Sequence, residues 1–229
     1  MSPSPAEEVP VAPGVWLSLA APVGGREEAE SALPVIDVSA VPGARVVLRR
    51  GLASSERVVR AACVTAPSDR WAPGLEELVL GRATGVGVAA LGATVERWEP
   101  GAIEQPVEGR FVQRLVGRVE GREAARIQHF LGFVGEGHEV LLCTVGCAAR
   151  GSEAGGVTTD GAPMCEALLS RAGVEGALVG PPPPSPFVRA VLFAAERPYE
   201  VAAGLALACA ALIAALLARR PRVPWRRSA

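Results

Sequence analysis

The side chains able to do chemistry are few: five cysteines, two histidines and scattered carboxylates. The cysteines are Cys63, Cys143, Cys147, Cys165 and Cys209. Cys209 falls inside a long apolar run near the C-terminus, and the other four allow three pairings. CTVGC is not a CxxC redox motif. On one strand Cys143 and Cys147 share a face but stand ~13 Å apart, too far to bond to each other. Cys147 with Cys165 is within reach, and so is Cys63 with either strand cysteine. The alternative is a set of buried thiols packed as small apolar groups. Oxidised pairs imply an exported domain.

A zinc site from His129, His138, Cys143 and Cys147 fails on register. The turn GEGH pairs Val134 with Glu139, which sets His129 opposite Thr144, Phe130 opposite Cys143 and Arg126 opposite Cys147. His129 then shares a face with Ile127, Leu131, Phe133, Val140 and Leu142, and the cysteines point to the other. Ligands on opposite faces cannot meet at the ~2.0–2.3 Å that zinc requires. His129 reads as a core histidine, packed or hydrogen-bonded. No metal, cofactor-binding or catalytic residue is assigned, and no cofactor is expected.

Other signatures are weak. All 23 basic residues are arginine, which excludes a P-loop lysine, a Schiff-base lysine and a Ser–Lys dyad. The stretch from Gly85 to Gly92 lacks the G-x-G-x-x-G spacing and follows a helical pattern rather than a strand. There is no G-x-S-x-G. Glu76, Glu77, Glu96 and Glu99 read as solvated surface.

The elements that must position these residues follow from periodicity. Residues 1–13 are rich in Pro and Glu and are expected to be disordered. Val15, Leu17 and Leu19 alternate as in a strand. RVVLRR (45–50) and RVVRAACVT (57–65) form a hairpin around GLASSE. Leu75, Leu78, Val79, Val86 and Ala90 have helical spacing, weakened by Gly81, Gly85 and Gly87. Between 110 and 148, RFVQRLVGRVE, ARIQHFLGFV and EVLLCTVGCA form an antiparallel meander with tight turns at VEGRE and GEGH. A helix follows over about 163–172. Both faces of the meander are apolar, so each needs a cover, and helices 75–90 and 163–172 are the available ones. The expected fold class is α+β: an antiparallel sheet covered by helices, an α/β/α sandwich, over residues 14–178.

Residues 179–198 contain GPPPPSP, a stiff polyproline spacer, and are expected to form a linker and juxtamembrane segment. Residues 201–218 carry no charge and would span about 27 Å as a helix, close to the ~30 Å hydrocarbon core. A transmembrane helix over 199–218 and an Arg-rich tail over 219–229 are therefore expected, with Tyr199, Arg219, Arg220 and Trp225 as membrane anchors. Ala202, Ala206, Ala210 and Ala214 form a small-residue stripe suited to homo-oligomer contact. Charge is uneven: residues 1–200 hold eighteen arginines and 24 acids, a net of −6, and the remainder is +5. The acidic part excludes a nucleic-acid footprint. The first 25 residues do not read as a secretory signal. That favours a cytoplasmic domain, as in a single-pass, tail-anchored membrane protein; the basic tail favours the exported side.

GRFVQRLVGRVEG, AARIQHFLGFVGEGHEVLLCTVGCA and the short helix CEALLSRA together resemble bacterial members of the PsbP-like fold. The resemblance covers residues 110–178. It implies long antiparallel strands ending in a helix that packs back across the sheet, an α/β/α sandwich and a docking or accessory role toward other proteins. It carries over no functional residue. The leading expectation is a membrane-tethered, non-enzymatic accessory or protein-interaction domain, with membrane lipid and a protein as partners. One alternative is an enzyme or small-ligand binder with a pocket beside the sheet, where His129, Arg126 and loop 150–160 would act. Another is a disulfide-stabilised exported domain.

Overall fold

The computed structural model describes residues 6–39, 41–69, 71–72, 74–91, 95–107, 109–149, 161–196, 199 and 209. Two compact units divide the chain, Met1–Pro183 and Pro184–Ala229. In the first unit, β1 (Ala6–Ala12), β2 (Val15–Ala20), β3 (Arg26–Glu27), β4 (Arg45–Ala53) and β5 (Arg57–Pro67) precede helix α1 (Leu75–Leu91). Then come β6 (Arg97–Val107), β7 (Arg110–Val119), β8 (Arg122–Val134), β9 (Glu139–Ala149), α2 (Gly161–Leu169) and β10 (Gly173–Gly176). The second unit contains α3 (Pro186–Glu196).

The strands form two antiparallel sheets, a small one ordered β1-β2-β10 and a large one ordered β3-β4-β5-β9-β8-β7-β6. The β8–β9 hairpin has Val134 paired with Glu139, His129 with Thr144, Phe130 with Cys143 and Arg126 with Cys147. Both strands are buried on both faces, so the short turn at 135–138, rather than a polar–apolar alternation, fixes this register.

The α/β/α sandwich expected from the sequence, and implied by the PsbP-like resemblance, is corrected. The molecule is mostly antiparallel β, with 51% strand against 22% helix. One face of the large sheet is covered by α1. The other is covered by α2 together with the small sheet, whose Val11, Val15, Leu17 and Leu19 join Leu168 and Leu169 of α2 in one core over Val59, Ala61, Phe130, Leu141 and Val145. The second layer is thus largely a sheet. Residues 1–13, expected to be disordered, include β1. Its Glu7 and Glu8 are exposed while Val11 is buried. Strand β10 docks on β2 through Gly176, whose backbone lies so close to the Gly14 carbonyl that any Cβ would collide.

The expected transmembrane helix is corrected as well. Among the described residues no helix is long and apolar enough to cross a membrane. The single-pass, tail-anchored placement and its lipid partner are therefore not supported. Of the expected anchors, Tyr199 is exposed, while Arg219, Arg220 and Trp225 lie outside the described residues, as do Ala202, Ala206, Ala210 and Ala214. Helix α3 has eleven residues, about 16 Å at 1.5 Å each.

Candidate functional site

The cysteines define the first feature. Cys63 of β5 and Cys143 of β9 are directly paired residues on neighbouring strands, with Cα atoms 4.1 Å apart, and they form a disulfide. Facing residues of a non-hydrogen-bonded pair bring their side chains this close. Cys147, four residues along on the same face, is bonded to Cys165 of α2. All four are buried in the core shared with the small sheet. The first bond ties the middle of the large sheet across 80 residues of chain; the second fastens α2 to it.

Beside the second disulfide, Arg126 pairs with Glu123 and with Glu166 of α2, the latter at 3.2 Å. A bulge at Ala124 turns Glu123 to the same side as Arg126. Glu123 also raises the Arg126 pKa, mainly by hydrogen bonding. Arg126 is thus a clasp between sheet and helix. It lies on the face opposite His129, so the structure does not bring these two together. Loop 150–160 lies outside the described residues.

His129 is fully buried on the α1 face, its Nδ1 hydrogen-bonded to Thr144 Oγ1 at 2.8 Å. Its Nε2 has no partner among the described residues. Burial pushes its pKa down to about 4, so the ring is neutral near pH 7. Gly87 of α1 sits directly above. A Cβ there would stand 2.8 Å from Thr144 Cγ2 and 3.2 Å from His129 Cε1, so glycine is what lets helix and sheet approach. The far end of α1 is held by Arg60, whose Nη1 donates to the Leu91 carbonyl at 3.1 Å while its Nε pairs with Glu28 at 2.8 Å. A cation on the last carbonyls suits a helix C-terminus.

The other half of α1 borders the site that sequence reasoning missed. A groove of about 320 Å³ opens between α1, the end of β5, the start of β9 and residues 36–38 and 41–44. Its floor is Val64, Ala66, Val140 and Leu142, which β5–β9 pairing places in facing pairs, Val64 with Leu142 and Ala66 with Val140. Leu75, Leu78 and Val79 form one wall; Ile36, Val38 and Val41 form the other. Trp71 closes one end, its ring edge-on to Phe133 with centroids 4.9 Å apart. Leu78 and Val41 are 52% and 47% exposed, so the walls present apolar surface to solvent. The only hint in the sequence was the apolar set Val140 and Leu142 on the His129 face, which needed a cover. Loop 36–44 had no periodicity to announce it.

This lining does not make a nucleophile–base pair. The Ser68 hydroxyl donates to the Gly137 carbonyl, and the exposed His138 approaches Ser68 through its backbone carbonyl, which accepts from Ser68 N–H at 3.0 Å. Among the described residues no group of three or more His, Cys, Asp or Glu could hold a metal ion. A smaller cavity of about 220 Å³ lies on the opposite side, lined by Phe130, Leu141, Val174 and Leu178. No protein-family description matches the chain, and neither a curated protein nor a solved structure is significantly similar to it.

Proposed function

We propose that this chain is a non-catalytic, small-ligand-binding domain of an oxidising compartment, and that the groove beside α1 receives the ligand. One observation carries the reading: an open, mainly apolar slot of about 320 Å³ on a sheet braced from behind by two buried disulfides. That size falls in the range of ~300–1,000 Å³ typical of small-molecule sites, which pair an apolar lining with few polar groups. Two buried disulfides suit a compartment where thiols are oxidised. The bracing keeps the floor strands in place beneath the groove.

The test is saturable binding of Nile red, a neutral apolar dye, to the full-length chain. One equivalent is expected to bind, and both Leu78→Asp and Val41→Asp should weaken binding several-fold, because each puts a charge on an apolar wall. Both positions are half-exposed, so the fold tolerates the change. Absence of saturable binding, or binding indifferent to both substitutions, would contradict the reading.

A further inference from the structure

Among the described residues, three polar side chains line the groove, Asp37, Ser68 and Arg82, and two of them are engaged. Asp37 Oδ1 accepts from Ser39 N–H at 2.9 Å, and Ser39, first through its side chain and then through its backbone, holds the Asp37 carboxyl below its usual range. Ser68 is buried and donates to Gly137. Arg82 is exposed on α1, four residues after Leu78 and three after Val79, and makes no hydrogen bond or ion pair among the described residues. Its guanidinium offers five donors in a fork that matches a carboxylate.

We propose that the groove takes a single-tailed anionic amphiphile, an aliphatic chain of about ten carbons ending in a carboxylate. The tail would lie over Val64, Val140 and Leu142, with the head on Arg82. The length follows from the volume. About 320 Å³ accommodates roughly ten groups of methylene or water size at ~30 Å³ each. The polarity follows from the mouth. Asp37 on the loop side is a settled anion that repels a second one, so an anionic head turns toward α1, where Arg82 has no partner among the described residues. This inference rests on the ligand-binding reading above and adds the ligand class.

Displacement of Nile red from the full-length chain by sodium decanoate and by 1-decanol, both below their aggregation concentrations, tests it. Decanoate is expected to bind roughly threefold more tightly than decanol, the scale of one partly exposed ion pair. In Arg82→Gln the ratio of decanoate to decanol affinity should fall to about one. Gln suits a helix surface, and circular dichroism confirms that the variant is folded. Equal affinities in the natural chain, or a preference that survives Arg82→Gln, would overturn the head-group assignment and leave the binding reading intact. If neither compound displaces the bound dye, the ligand class is overturned. If the dye itself does not bind, both readings are overturned.

Discussion

On one face of the large sheet Cys63–Cys143 and Cys147–Cys165 lie buried among Leu17, Val59, Val145 and Leu168, under a second sheet and a helix. On the other face Val64, Ala66, Val140 and Leu142 are only half covered, because a single helix shares the space with a loop. The first face is cross-linked and lies under a second layer, with a cavity of about 220 Å³ beside Phe130 and Leu141. The second is held by close approach, with Gly87 over the His129–Thr144 pair and Arg60 on the last carbonyl of α1. The two-part cover buries the disulfide face, whereas the single helix leaves Val64, Ala66, Val140 and Leu142 half-buried. On the proposed reading, the ligand would occupy the space that the lighter cover leaves open.

The largest effect should come from the cross-linked face. Replacing both Cys63 and Cys143 by Ala removes a constraint across 80 residues of chain, about 4.5 kcal/mol in the chain-entropy account. Replacing Cys147 and Cys165, separated by 18 residues, should cost about 3 kcal/mol. Denaturant unfolding under oxidising conditions checks both, and the reverse ranking would break the contrast in span.

On the α1 face the leading effect is acid sensitivity. The folded-state pKa of His129 is about 4, below the ordinary 6.5, so the folded state binds fewer protons than the unfolded one between those values. Its contribution is therefore fully present above about pH 6.5 and is lost as pH falls toward 4, on the order of 3 kcal/mol. Unfolding midpoints across this window should fall for the natural chain and fall less for His129→Gln.

Gly87→Ala forces a Cβ to 2.8 Å from Thr144 Cγ2 and should destabilise by about 1–3 kcal/mol. The smallest effect has the opposite sign. Gly81 and Gly85 are exposed on the same helix, with nothing within 4 Å of an added Cβ. Gly81→Ala and Gly85→Ala should each stabilise by about 0.5–1 kcal/mol in thermal unfolding. A loss at either position would mean that α1 packs more tightly than described.

Much of the β7–β9 meander was legible, because long apolar runs interrupted by VEGRE and GEGH admit one register. That register alone separates His129 from Cys143 and Cys147. The extent of α1 was legible from Leu75, Leu78 and Val79 despite its glycines. Strand β6 was not: Pro100, Gly101 and Pro106 interrupt it, and its pairing with β7 shifts twice. Proline is tolerated there because β6 is the sheet edge. Strand β1 hid for a similar reason, with Pro10 and a register shift at an edge. Missing β1 and the four-residue β10 meant missing the small sheet, and so mistaking a largely β second layer for a helical one. The apolar run 201–218 matched the length of a bilayer core, yet hydropathy alone does not place a segment. The groove was illegible because it arises from what α1 leaves uncovered, a property of packing between elements distant in sequence.

The proposed ligand would lie over Val64, Val140 and Leu142, where the sheet is half covered. Backbone amide and tryptophan indole shifts of the full-length chain, followed by NMR during decanoate titration, test this placement most directly. Changes confined to residues 36–44, 64–83 and 140–142, with the Trp71 indole among them, are the result expected. Changes centred on α2 and β10, or an unchanged spectrum at saturating decanoate, would contradict it.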